Sequence, residues 1–150
     1  MAKKKSSGSG RNKKIANAQS TPAFRSKLEK KIYDELVALG IQPKYESERI
    51  ILMEGFYPSK QFYIDSMEHK EKVRSITYTP DYKILVNGYT VYIEAKGWPN
   101  DRYPMKKKLF LKYLEAHPEC VFAEVHSIIG LRNTLRKINE LDEYGKEKTV

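Results

Sequence analysis

Asp81, Glu94 and Lys96 are the residues of this chain whose types and spacing could do chemistry together. The dipeptide Asn87-Gly88 brings them into register, set between the β-rich runs Tyr82–Val86 and Tyr89–Lys96. Asn-Gly favours the two-residue type I′ turn of a β-hairpin, because both positions of that turn need a positive φ. Asp81 lies six residues before Asn87, and Glu94 lies six residues after Gly88. The hairpin therefore sets the two carboxylates opposite each other on one face, with Cβ atoms about 4.5–5.5 Å apart. Facing carboxylates repel, and a divalent cation is the natural compensator. Mg²⁺ takes oxygen ligands, usually one or two carboxylates, and fills its shell with water and phosphate. Lys96, two residues beyond Glu94, points to the same face. Its ammonium could meet a phosphate or orient a metal-bound water.

Either half of the pattern alone is ordinary. An Asp often opens a strand, and Glu-x-Lys on an exposed strand is commonly a cross-strand ion pair. The conjunction favours a site, because apolar Tyr92, Ile93 and Ala95 place Glu94 in a strand next to core.

The rest of the chain must position this hairpin. Its 150 residues, 40% hydrophobic and 31% charged, suffice for one modest core with tails. A formal charge of +9 calls for a polyanionic partner, nucleic acid or an anionic membrane surface, with plain solubility as the alternative. The single cysteine, Cys120, excludes an internal disulfide and a Cys-rich zinc site. No apolar run approaches membrane-spanning length, and the basic N-terminus lacks a signal peptide's apolar stretch. A reducing, cytoplasmic setting is expected, with no membrane and no organic cofactor. His69, His117 and His126 have no metal-ligand spacing.

Residues 1–20 are small, polar and basic, and are expected to form a disordered tail. Its Lys13 and Lys14 are candidate phosphate contacts, or solvated charges. A folded domain is expected over residues 21–145, with a C-terminal tail at 146–150. Ser20 or Thr21 could cap a first helix carrying the stripe Phe24, Leu28, Ile32, Leu36 and Leu39, stopped at Gly40. Strands are expected over Lys44–Met53 and Val73–Thr79, with an excursion at 54–72 around a short strand at Phe62–Ile64. After the hairpin comes a helix with Met105, Leu109, Tyr113 and Leu114 on one face and Lys106, Lys107, Lys108 and Lys112 mostly on the other. A buried strand at Val121–Val125 and a last helix marked by Leu131, Leu135, Ile138 and Leu141 follow. The expected fold class is α/β, a mixed β-sheet flanked by helices, in the order α-β-(β)-β-β-α-β-α.

The run Thr79-Pro80-Asp81, then twelve residues, then Glu94-Ala95-Lys96-Gly97 resembles the PD-(D/E)xK nuclease motif. With Phe24-Arg25-Ser26-Lys27-Leu28-Glu29 before it, the pattern is similar to the endonuclease I-type Holliday-junction resolvases of short-tailed coliphages. The stretch Val73–Thr79, the hairpin and Lys107-Lys108-Leu109-Phe110 also resemble a phage family of small predicted endonucleases. The resemblance spans roughly residues 22–125, and the excursion at 54–72 is longer than in the coliphage enzymes. It implies a restriction-endonuclease-like core and a Mg²⁺-dependent endonuclease, with Mn²⁺ substituting, acting on branched DNA as a homodimer in a bacterial host cell. It implies that Asp81, Glu94, the Ala95 carbonyl and Glu29 hold the metal and that Lys96 is the catalytic lysine. The alternative for Glu29 is an ordinary helix-surface charge. Arg25, Lys107 and Lys108 are candidate DNA contacts, or solvated charges. Trp98 could stack on a base or sugar, or pack at the strand end. A competing class is a basic nucleic-acid-binding module that keeps the fold without cutting.

Overall fold

The computed structural model describes residues 21–97 and 102–141. The expected tails at 1–20 and 146–150, with Lys13, Lys14 and Trp98, lie outside them. The elements run α1 (Lys27–Ala38), β1 (Lys44–Tyr45), β2 (Ile50–Met53), β3 (Tyr63–Ile64), β4 (Met67–Glu68), β5 (Ile76–Tyr78), β6 (Tyr82–Val86), β7 (Tyr89–Ala95), α2 (Tyr103–Leu114), β8 (Cys120–Val125) and α3 (Ile128–Asn139).

The hairpin forms as its turn demands. Asn87 has φ +51° and Gly88 has φ +80°, and β6 pairs with β7 from Val86–Tyr89 to Tyr82–Ile93. The Asn87 amide also donates to the carbonyls of Ile138 (3.1 Å) and Leu141 (3.1 Å), tying the turn to the end of α3. The main sheet has the order β1-β6-β7-β8, with β7 and β8 parallel and the other pairs antiparallel. Helix α2 supplies the crossover that a parallel pair needs.

Strand β7 is central and covered on both faces, which is why Val91, Tyr92, Ile93 and Glu94 are buried in succession. On one face, Tyr82, Ile84, Val91, Ile93, Ala123 and Val125 pack with Ile32 and Leu36 of α1 and Leu131, Leu135 and Ile138 of α3. On the other face, Phe110 of α2 is fully buried, with its ring 4.8 Å from Tyr78, 5.5 Å from Tyr92 and 5.4 Å from Phe122. Ile50 of β2 joins this second core.

Several expectations are corrected. Helix α1 is capped by Ser26, whose side chain accepts from the Glu29 N–H, so it starts after the expected Ser20 or Thr21. Phe24 precedes the helix and packs instead on Tyr33 and Tyr45, each with ring centroids 5.1 Å away. Leu39 is the exposed C-cap rather than part of the buried stripe. The helix does stop at Gly40, where the Gly40 and Ile41 N–H groups donate back to Val37 and Leu36.

The run Lys44–Met53 breaks at Glu46 (φ +43°): β1 joins the main sheet, while β2 pairs with β5 in a separate two-stranded unit. The excursion holds a β3–β4 hairpin rather than one short strand. The structure therefore has more strands than the expected order α-β-(β)-β-β-α-β-α. Helix α2 buries Tyr103 and Phe110, leaving Met105 exposed, because its inward stripe runs through 103, 106–107, 110 and 113–114.

Phe110→Ala should cost roughly 3–5 kcal/mol, since it empties the centre of the second core. Urea denaturation followed by circular dichroism measures this. A loss below about 1 kcal/mol would mean that α2 is not held by this ring.

Candidate active site

Among the described residues, the buried charged side chains are Glu29 (6% exposed), Asp81 (7%) and Glu94 (9%). Burying a charge is costly unless it is paired, so three buried carboxylates need a reason. Their placement follows from the sheet. The hairpin pairing ends at Tyr82–Ile93, and Asp81 lies one residue past it, close enough to Glu94 to feel its charge. Both line a cleft of about 660 Å³ with Arg25, Arg49, Thr77, Tyr78, Arg102, Tyr103 and Lys106.

Hydrogen bonds fix each carboxylate. Asp81 Oδ2 accepts from the Ala95 N–H at 2.7 Å, which holds it against the end of β7. Its Oδ1 is 3.9 Å from the Arg25 guanidinium, which also pairs with Glu46. Glu94 Oε2 accepts from the Tyr78 hydroxyl at 2.6 Å, and its Oε1 lies 3.4 Å from Lys96 Nζ. Burial first, and the charge of Glu94 second, push the Asp81 carboxyl up to about 7. Burial, then Glu94, push the Tyr78 hydroxyl far above its usual value, so it stays a donor. Lys96 shares the face of Glu94, as its spacing predicts, and its ammonium lies 3.7 Å from the Tyr103 ring centroid.

Glu29 enters the same region from α1. Its Oε2 accepts from the Tyr45 hydroxyl at 2.6 Å and from the Arg25 N–H at 3.1 Å, and its backbone carbonyl accepts from the Tyr82 hydroxyl at 2.8 Å. Its charge is felt at Asp81. No three His, Cys, Asp or Glu side chains among the described residues form one metal-holding group. The structure therefore brings together Asp81, Glu94 and Lys96, with Glu29 tied to Tyr45 beside them.

A further carboxylate stands in the same row. The parallel register sets Glu124 of β8 beside Glu94. It accepts from Tyr103 (2.6 Å) and Lys107 (2.8 Å) and contacts His126 Nε2 (3.0 Å). Lys107, then Tyr103, hold its carboxyl down at about 2. Lys107 is thus paired within the protein, whereas Lys108 is exposed. Sequence reasoning missed Glu124, Tyr78, Tyr103, Arg49 and Arg102. A tyrosine or arginine carries no spacing signal when its partner lies on a distant strand.

The donor set is of the kind a hard divalent cation takes: two buried carboxylates lining one cleft, one pushed toward its protonated form by burial first and by the other second. Asp81 and Glu94 are the groups of this cleft that could hold one.

Residues 10–126 match the family described as "Protein of unknown function (DUF1064)". The chain belongs to that family. Glu29, Asp81, Glu94 and Lys96 all fall within the matched DUF1064 region. The chain is also 35% identical over 98 residues to Endonuclease I of Escherichia phage T7, which covers 65% of this chain and 50% of the relative. This DUF1064 chain spans about half the length of that curated relative. No solved structure matches it. Among the described residues, no helix is long and apolar enough to cross a membrane.

The raised Asp81 carboxyl dictates a pH dependence. A folded value of about 7 against the ordinary 3.8 means that the fold favours the protonated form. The associated stability is full below pH 4 and is lost as pH rises through 7. In EDTA, Asp81→Asn should match the wild type near pH 4. By pH 8 it should be the more stable, by on the order of 4 kcal/mol. Urea denaturation of both proteins across this range tests it, and parallel curves would show that Asp81 is not strained.

Proposed function

We propose that this protein is a metal-dependent DNA endonuclease whose centre is Asp81, Glu94 and Lys96. The observation that carries the reading is the burial of two carboxylates, at the end of one hairpin, inside a cleft lined by arginines and lysine. Binding DNA alone gives no reason to bury acids among phosphate-facing cations. The similarity to Endonuclease I of phage T7 supports the same reading.

Mg²⁺, or Mn²⁺ in its place, would be held by Asp81, Glu94 and the Ala95 carbonyl, with Glu29 contributing from the α1 side. When bound, such a cation acidifies water and offsets charge on a phosphate. The chain's own groups do the positioning. The Ala95 N–H fixes one Asp81 oxygen, and the Tyr78 hydroxyl fixes one Glu94 oxygen. Lys96 brings an ammonium to the same face, where it steadies the scissile phosphate and the attacking water. Arg25, Arg49, Arg102 and Lys106 border the cleft and would track the DNA backbone, with exposed Lys108 further along α2. The substrate class we favour is branched DNA such as a four-way junction. Its two equivalent strands match the two equivalent sites of a homodimer.

The test is incubation of the full chain with synthetic four-way junctions and linear duplex, in Mg²⁺ or EDTA. Junction cleavage should require Mg²⁺ and fall at least about 100-fold in Asp81→Ala, with junction binding retained. Binding unaccompanied by cleavage under every metal condition would leave a DNA-binding module instead.

Arg49→Ala and Arg102→Ala should each weaken binding across all sequences and reduce the slope of log K against log salt by about 1. Unchanged slopes in both variants would move the DNA path off this cleft.

A further inference from the structure

We infer that Tyr103 is the positioning residue for Lys96, holding the ammonium over its ring face; the inference rests on the nuclease reading for its functional consequence. Lys96 is only 11% exposed at its side chain, and two groups grip it: Glu94 Oε1 at 3.4 Å and the Tyr103 ring at 3.7 Å to the centroid. The Glu94 contact follows from the Glu-x-Lys spacing; the Tyr103 contact does not, because Tyr103 is the first residue of α2.

The two grips differ in kind. A carboxylate that turns toward a cation has less to give a lysine. An aromatic face attracts an ammonium through its quadrupole and does not compete for a hard metal ion. The ring would therefore keep Lys96 in place when Glu94 is engaged elsewhere.

The ring is itself fixed. The Tyr103 hydroxyl donates to Glu124 Oε2 at 2.6 Å, and that carboxylate is also held by Lys107 at 2.8 Å and contacted by His126 at 3.0 Å. Glu124 stands beside Glu94 in the parallel register, so the platform is anchored one strand away from the reacting groups. The Lys96 N–H donates to the Val125 carbonyl at 2.8 Å, which sets the lysine's backbone against the same strand. Glu124 thus serves as a strut for the ring.

Two readouts test this on the full chain. In protein carrying ¹³C-labelled lysine, the Lys96 ε-methylene signal, assigned by its loss in Lys96→Arg, should be shifted upfield by the ring current. The shift should persist in Tyr103→Phe and vanish in Tyr103→Leu. On cleavable DNA, Tyr103→Leu should lower kcat roughly 10- to 100-fold with KM within about twofold. Tyr103→Phe should stay within about threefold of wild-type kcat. Thermal denaturation establishes that each variant is folded. If Tyr103→Leu does not fold, the upfield shift in wild type and in Tyr103→Phe decides. A Lys96 signal at the ordinary lysine position in wild type would overturn the inference. So would a folded Tyr103→Leu that cleaves at the wild-type rate. Wild-type protein that cuts no DNA, but keeps a Tyr103-dependent shift, would sink the nuclease reading and leave the hold of Tyr103 on Lys96 standing.

Discussion

The repulsion between Asp81 and Glu94 is the constraint around which this fold is arranged. A free chain would keep two carboxylates apart and hydrated. Here a two-residue turn and a fixed register bring them to one cleft, where both are buried. The surrounding groups hold the pair without neutralising it. The Ala95 N–H and the Tyr78 hydroxyl bind one oxygen of each acid, Lys96 stands 3.4 Å from Glu94, and Arg25 is 3.9 Å from Asp81. An Asp81 carboxyl pushed up to about 7 is the sign that this compensation is incomplete.

The neighbouring Glu124 makes the contrast plain. It belongs to the same row of the sheet, yet its carboxyl is held down at about 2, because Lys107, Tyr103 and His126 converge on it. An acid in this region is strained where burial outweighs its partners and satisfied where α2 supplies a lysine and a tyrosine. The satisfied acid anchors structure; the strained pair is where the proposed cation would bind. In protein sites, perturbed carboxyls of the second kind mark chemistry more often than fold.

The hairpin was legible because its turn type is set by two adjacent residues and its register by counting. Asp81, Glu94 and Lys96 fell on one face for that reason alone. Gly40, and the α3 stripe Leu131, Leu135 and Ile138, were legible for equally local reasons. What was not legible depends on long-range partners. Val73–Thr79 reads as one strand, but it pairs in two separate places, Ile76–Tyr78 with β2 and Val73 with Phe56, since β2 rather than the main sheet is its neighbour. The buried face of α2 was misread because Phe110 is chosen by Tyr78, Tyr92 and Phe122, residues 12 to 32 positions away. Tyr78 and Tyr103 became visible as site residues only once the sheet had folded them over Glu94 and Lys96.

Whether the acidic pair shares one cation is open to direct observation. Crystals of the protein soaked in Mn²⁺ and measured at the manganese edge should give an anomalous peak between Asp81 and Glu94, within about 2.0–2.3 Å of an oxygen of each. The peak should be missing in Asp81→Asn. Saturating Mn²⁺ that leaves the space between those carboxylates empty in the wild type, or that gathers at other acids, would contradict the shared-cation site.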